Sequence, residues 1–85
     1  MKIYKIVITK LAQKQLDKLP DSIADRLIDA IYTLSEDPRP AGCKKLKGRN
    51  GYRIRVGDYR VIYEIFDNDL LISVIAIGDR KDIYN

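Results

Sequence analysis

The chain has no histidine and a single cysteine, Cys43, in 85 residues, and those two shortages remove several chemistries at once. A lone cysteine makes no internal disulfide, and without histidine a zinc site of the usual Cys/His kind is excluded. Cys43 reads as a plain loop residue, with a reactive thiol as the alternative. No apolar run approaches the ~20 residues that span a bilayer. Met1-Lys2-Ile3-Tyr4-Lys5 has neither the sustained apolar stretch nor the small-residue cleavage site of a signal peptide. A cytoplasmic location is therefore expected. Low-complexity tracts and internal repeats are missing too. A composition of 46% hydrophobic and 33% charged residues is that of a folded soluble chain. The length predicts one domain, residues 1–85, with a single modest core that gains stability from a partner.

Acidic residues are scarce where basic ones concentrate. Between positions 39 and 60, Arg39, Lys44, Lys45, Lys47, Arg49, Arg53, Arg55 and Arg60 face only Asp58, a local charge of +7 in a chain whose total is +4. The remainder carries −3, so the basicity is a patch and not a general solubility device. Such a patch suits nucleic acid or an acidic protein partner. For Lys44, Lys45 and Lys47 taken singly, a solvated loop around Gly42 and Gly48 is the plainer account. The arginines are harder to dismiss. In Tyr52-Arg53-Ile54-Arg55-Val56 a strand's alternation sends Arg53 and Arg55 to one face, and Gly57-Asp58 supplies a hairpin turn that folds Arg60 back beside them. Three guanidiniums then reach one phosphodiester.

The rest of the chain organises around that hairpin. Lys2 to Ile8 alternates with β-branched residues and predicts a first strand, after which Thr9 caps a short helix with apolar positions Leu11, Ala12, Leu16 and Leu19. Pro20 closes it. A second helix is expected from Asp21 or Ser22, with Ser22 and Asp25 resembling a capping box. Its stripe of Ile23, Leu27, Ile31 and Leu34, reinforced by Ala24 and Ile28, must bury one face, and Asp37-Pro38-Arg39-Pro40 ends it. Three strands follow: Gly51 to Val56, Tyr59 to Phe66 and Leu70 to Ile77. The last is apolar on both faces apart from Ser73 and predicts a central strand. Asp67-Asn68-Asp69 reads as a tight turn, since Asx residues favour turns for their local hydrogen bonds, and not as a metal site. The expected class is α+β: an N-terminal strand, a helical hairpin, then an antiparallel three-stranded meander, with function on the sheet face the helices leave open.

In this order, Leu46-Lys47-Gly48, the run from Tyr52 to Tyr63, and Ile77-Gly78-Asp79-Arg80-Lys81-Asp82-Ile83-Tyr84 resemble the RelE/ParE superfamily of toxins from toxin–antitoxin pairs. The closest likeness is to its RelE-like branch of ribosome-dependent mRNA endonucleases, and it covers essentially the whole chain. The resemblance implies a microbial RNase fold that holds mRNA in the ribosomal A site and cleaves it by 2′-hydroxyl attack, with no metal and no cofactor. It also implies a cognate antitoxin that covers the basic face. By position it implies Arg60 and Arg80 as phosphate clamps, Arg53 and Arg55 as groups that place the RNA backbone, and Tyr84 as a proton-transfer or stacking residue. Lys44, Lys45, Lys47, Arg49, Asp79 and Lys81 are the expected flanking contacts to substrate.

The chemistry stands on its own terms. A phosphodiester passing to a pentacovalent state gains negative charge on its non-bridging oxygens, and guanidiniums aimed at them stabilise that state preferentially. Arginine is never a practical base, and a tyrosine with an ordinary pKa near ~10 needs cationic neighbours before it serves as one. Plainer roles exist for two of these residues: Tyr84 as a terminal aromatic docked on the sheet, and Arg80 in a salt bridge to Asp79 or Asp82. The chain departs from the family pattern at Arg53 and Arg55, where lysines are usual, and so has no group of tunable pKa there. It departs again at Asp79, where a histidine or lysine is usual. An acid at that position is either a general base or a group that repels RNA. Two rival functions remain: a ParE-like toxin that poisons DNA gyrase, and a degenerate basic module that binds RNA or the ribosome without cleaving.

Overall fold

Thr9 opens the helical layer. In the computed structural model, which describes residues 3–47 and 50–79, its hydroxyl accepts from the Ala12 amide and starts helix α1, Lys10–Asp17. The Leu19 amide then closes on the Leu16 carbonyl, and Pro20 turns the chain into helix α2, Asp21–Thr33. Pro20 is the N-cap residue of α2, and no side chain caps it. The capping box expected from Ser22 and Asp25 is absent because both already lie inside the helix, two positions later than a box requires. The fixed φ of Pro20 and the carboxylate of Asp21 in the first turn take over its role. Helix α2 stops at Thr33, before Asp37-Pro38, as the Thr33 and Ser35 hydroxyls fold back onto the Ala30 and Tyr32 carbonyls.

Among the described residues five strands form one sheet: β1 Lys5–Ile8, β2 Lys44–Lys45, β3 Gly51–Val56, β4 Tyr59–Phe66 and β5 Leu71–Asp79, in the spatial order β1-β5-β4-β3-β2. The class is the expected α+β, with β3, β4 and β5 in an antiparallel meander. The bounds of β3 and β4 coincide with those expected. β5 runs from Leu71 to Asp79, where Leu70 to Ile77 was anticipated. Leu70 instead takes a left-handed conformation, φ 49, after the 3-10 turn Asp67–Asp69. The first strand pairs parallel with β5 through Lys5↔Leu71 to Ile8↔Val74, so β5 does sit inside the sheet.

The apolar run of β5 has a physical explanation in its pairing. Ile62 faces Ala76 and Tyr63 faces Val74, so the register slips at a β-bulge and Ile75 falls outside the alternation. Where β1 ends, α1 closes the exposed edge of β5. The Thr9 amide donates to Val74 O, its hydroxyl to Ile75 O at 3.0 Å, and the Ile77 amide donates to Gln15 Oε1 at 2.6 Å.

One face of the sheet is the core. Leu27, Ile31 and Leu34 of α2 and its exit, with Ala12 and Leu16 of α1, close over Ile54, Val61, Tyr63, Ile65, Ile72, Val74 and Ile77. Burying these aliphatic side chains contributes roughly 1.5–3 kcal/mol each. It also dictates which side chains the opposite face carries, because alternation sends every neighbour of a core residue outward.

Candidate nucleic-acid interface

Cross-strand register assembles the site. On β3 and β4, Ile54 opposite Val61 lies in the core, so the adjacent pairs Arg53↔Ile62 and Arg55↔Arg60 occupy the other face. The short strand β2 adds Lys44 opposite Arg53, and β5 adds Ala76 and Gly78 opposite Ile62 and Arg60. Gly57, φ 61, makes the tight return that brings Arg60 level with Arg55. A Cβ at Gly57 would stand 3.5 Å from Nη2 of Arg26, so α2 closes over the turn as well.

Lys44, Arg53, Arg55 and Arg60 all line one groove of about 450 Å³ beside the end of α2. Its other lining residues include Ala30, Leu34, Pro40 and Ile54, and among the described residues none of those lining it is acidic. Arg55 is exposed, while Arg53 and Arg60 are half-buried with their stems against the sheet. Four cations of fixed spacing with apolar surface beside them can hold consecutive phosphates while the stems contact sugar or base.

The other anticipated contacts separate from this group. Lys45, one residue beyond Lys44, lines a second cleft with Arg39, Tyr52, Phe66 and Asp67. Lys47 is exposed. Asp79 pairs across from Tyr59 in the row that also holds Val56, one step out of phase with the row of Arg55 and Arg60. The alternation of the pleat therefore puts the acid on the opposite side of the sheet from those guanidiniums. Arg49, Arg80, Lys81 and Tyr84 lie outside the described residues.

Arg39 leaves the basic group altogether. Its Nη1 and Nη2 donate to Oδ1 and Oδ2 of Asp67 at 3.3 and 2.9 Å, and its Nε donates to the Tyr52 hydroxyl at 3.2 Å. The guanidinium carbon stands 5.2 Å from the Tyr52 ring centre, and that ring stacks on Tyr63 at 6.0 Å. Tyr4 donates to Asp67 Oδ1 at 2.7 Å, and Tyr63 donates to the Pro38 carbonyl at 2.8 Å. The bonds to Asp67 and then to Tyr52 hold the Arg39 proton more tightly than usual. The bond to Asp67 raises Tyr4, and burial raises Tyr63, with Cys43 adding to the shift. Half-exposed on both sides, the ion pair itself contributes only about 0.2–1 kcal/mol.

Two features escaped the sequence reading. β2 is too short to show a period, so Lys44 and Lys45 read as loop. Asp67 read only as a turn residue, and its partner Arg39 is 28 positions away. Among the described residues no group of three or more His, Cys, Asp or Glu side chains could hold a metal, and no helix is long and apolar enough to cross a membrane.

A family model described as the ParE toxin of type II toxin-antitoxin system, parDE, matches residues 6–84. The chain is 31% identical to a toxin RelE of Mycobacterium tuberculosis, over 95% of this chain and 86% of that protein. It is 26% identical to the mRNA interferase toxin RelE of Escherichia coli, over 96% and 90%. Among solved structures it resembles the toxin of an archaeal RelE–RelB complex from Pyrococcus horikoshii, with a TM-score of 0.84, 31% identity and coverage of 95% and 99%. With the family model spanning almost the whole chain and the fold shared from end to end, the chain belongs to the RelE/ParE superfamily of toxins of type II toxin–antitoxin systems.

Proposed function

We propose that this toxin is a ribosome-dependent endoribonuclease that cleaves mRNA in the A site. The observation that carries the proposal is the groove on which Lys44, Arg53, Arg55 and Arg60 converge. The interferase name of the Escherichia coli relative supports it further. In this reaction the 2′-oxygen attacks the adjacent phosphorus, its proton leaves to a base, the bond from phosphorus to the 5′-oxygen breaks, and that oxygen takes up a proton. Arg60 and Arg80 stabilise the charge gathering on the non-bridging oxygens. Arg53 and Arg55, with Lys44 beside them, hold the backbone; the family resemblance assigns further substrate contacts to Lys45, Lys47, Arg49 and Lys81, and makes Tyr84 the residue that moves the proton or stacks on a base. Arg53 and Arg55 are permanent cations, so proton transfer falls to other groups.

An antitoxin is the proposed protein partner, by analogy with the relatives solved as RelE–RelB complexes. The groove supports this. The Leu46 amide donates to Gly51 O, so Gly51, Arg53 and Arg55 turn their backbone groups toward the outer edge of β3. β2 pairs with that edge at Tyr52 and Arg53. The edge beyond, at Arg55, offers an extended acidic segment both backbone bonds and cations.

The match to a ParE model favours a second function, a toxin directed at DNA gyrase. One experiment separates the two. The chain is induced in a bacterial host, primer extension is run on a translated reporter mRNA, and both are repeated with Arg60→Ala and Arg80→Ala. Cleavage inside codons that requires translation and is lost in the variants is the expected result. Growth arrest with intact mRNA would transfer the proposal to gyrase.

A further inference from the structure

The segment that delivers Lys44 to the groove is tied at its start by a knot drawn from five places in the chain. Tyr4 precedes β1, Arg39 lies between α2 and β2, Tyr52 and Tyr63 belong to β3 and β4, and Asp67 opens the 3-10 turn. An ion pair whose side chains are 43% and 52% exposed adds little to stability, because water screens it and ordering two side chains costs entropy. A bidentate pair does impose direction, since the guanidinium fork accepts a carboxylate in one geometry. All three guanidinium nitrogens of Arg39 are engaged, two by Asp67 and one by Tyr52. Tyr52 in turn pairs with Lys45 across β2 and β3, and Arg53 next to it pairs with Lys44. Lys45 lines the same cleft as Arg39, Tyr52 and Asp67.

We propose that Arg39 and Asp67 are positioning residues for the basic groove. Their ion pair, closed over Tyr52, sets the path of the chain from Arg39 to Lys45 and so the placement of Lys44 beside Arg53. The inference rests on the groove taking RNA. It has a sign that simple electrostatics opposes. Neutralising Asp67 makes the protein more positive, so long-range attraction alone predicts tighter binding of a polyanion. Loss of positioning predicts weaker binding and slower cleavage.

The test compares wild type with Asp67→Asn, Arg39→Lys and Tyr52→Phe, the last keeping the ring and removing the hydroxyl that accepts from Arg39. A short single-stranded RNA is titrated at several salt concentrations, cleavage is followed on programmed ribosomes, and each variant's melting temperature is taken. Expected are an affinity about tenfold lower for Asp67→Asn and Arg39→Lys, with the salt slope unchanged because no phosphate contact is deleted. A smaller loss is expected for Tyr52→Phe, and kcat falls more than KM rises. Variants that melt with wild type yet bind and cleave as well or better overturn the proposal, as does a salt slope that drops in Arg39→Ala, which would make Arg39 a phosphate contact. If one variant fails to fold, the other two decide. A wild type that binds RNA without cleaving removes the endonuclease and leaves positioning to the affinity arm, whereas a wild type that binds no RNA overturns both.

Discussion

Arg39 and Arg55 are both arginines of one basic segment, and their surroundings send them to opposite uses. At the Arg39 end a carboxylate, a hydroxyl and an aromatic face consume the guanidinium. At the hairpin end Arg55 and Arg60 stand opposite one another across β3 and β4, on a groove with no acid among its described lining residues. Like charges facing each other across strands are normally unfavourable. A groove that gathers such a pair suits an anion, whereas a carboxylate closed bidentately on Arg39 is a fastening.

That contrast is broken most sharply at Arg60. Arg60→Ala is expected to lower cleavage roughly 100- to 1,000-fold, the loss typical of one donor to a developing oxyanion, with the melting temperature little changed. Cleavage that survives would dissolve the difference between the two ends. Next in size, Arg53→Ala and Arg55→Ala are each expected to lower the salt slope of single-stranded RNA binding by about 0.7, one phosphate contact apiece, while Arg39→Ala leaves the slope alone. Equal slopes for all three would return Arg39 to the patch.

The fastening end is sharpened by Tyr63→Phe. The change deletes the bond to the Pro38 carbonyl, and urea unfolding should report about 1 kcal/mol lost. Tyr63 and Tyr4 hold their protons more tightly folded than unfolded. Their stabilising contribution is therefore complete below the ordinary tyrosine value near ~10 and is lost as pH rises beyond it. Unfolding curves at pH 9 and pH 11 should show this decline, reduced in Tyr63→Phe. An effect of similar size is expected at the hairpin: Gly57→Ala meets only ordinary contact distance to Arg26, so its cost is the left-handed φ, about 1 kcal/mol. A melting shift of roughly 4–8 °C would report it.

Much of the architecture was legible because β3 and β4 advertise themselves. Alternation runs without a break through Tyr52 to Val56, and Gly57-Asp58 admits a tight turn, so the bounds of both strands and the shared face of Arg53, Arg55 and Arg60 followed directly. Periodicity failed where there was too little chain to carry it, as in β2, or where it was interrupted, as at the Ile75 bulge. The capping box failed for a different reason: Ser22 and Asp25 had suitable chemistry, but Pro20 had already started the helix. The count of charges between 39 and 60 was correct as arithmetic and incomplete as electrostatics, because the acid that cancels Arg39 enters from the far end of β4.

By itself the sequence determined the class of the fold, the hairpin and the sign of its surface. Those depend on local alternation, turn chemistry and composition, which neighbours along the chain settle between them. The tertiary structure alone decided which groups each cation meets, since that depends on residues brought near by sheet register. Register set Lys44 beside Arg53, put Asp79 out of phase with Arg60, and closed Asp67 on Arg39. Each of these is a relation between residues distant in sequence, and only packing makes them neighbours.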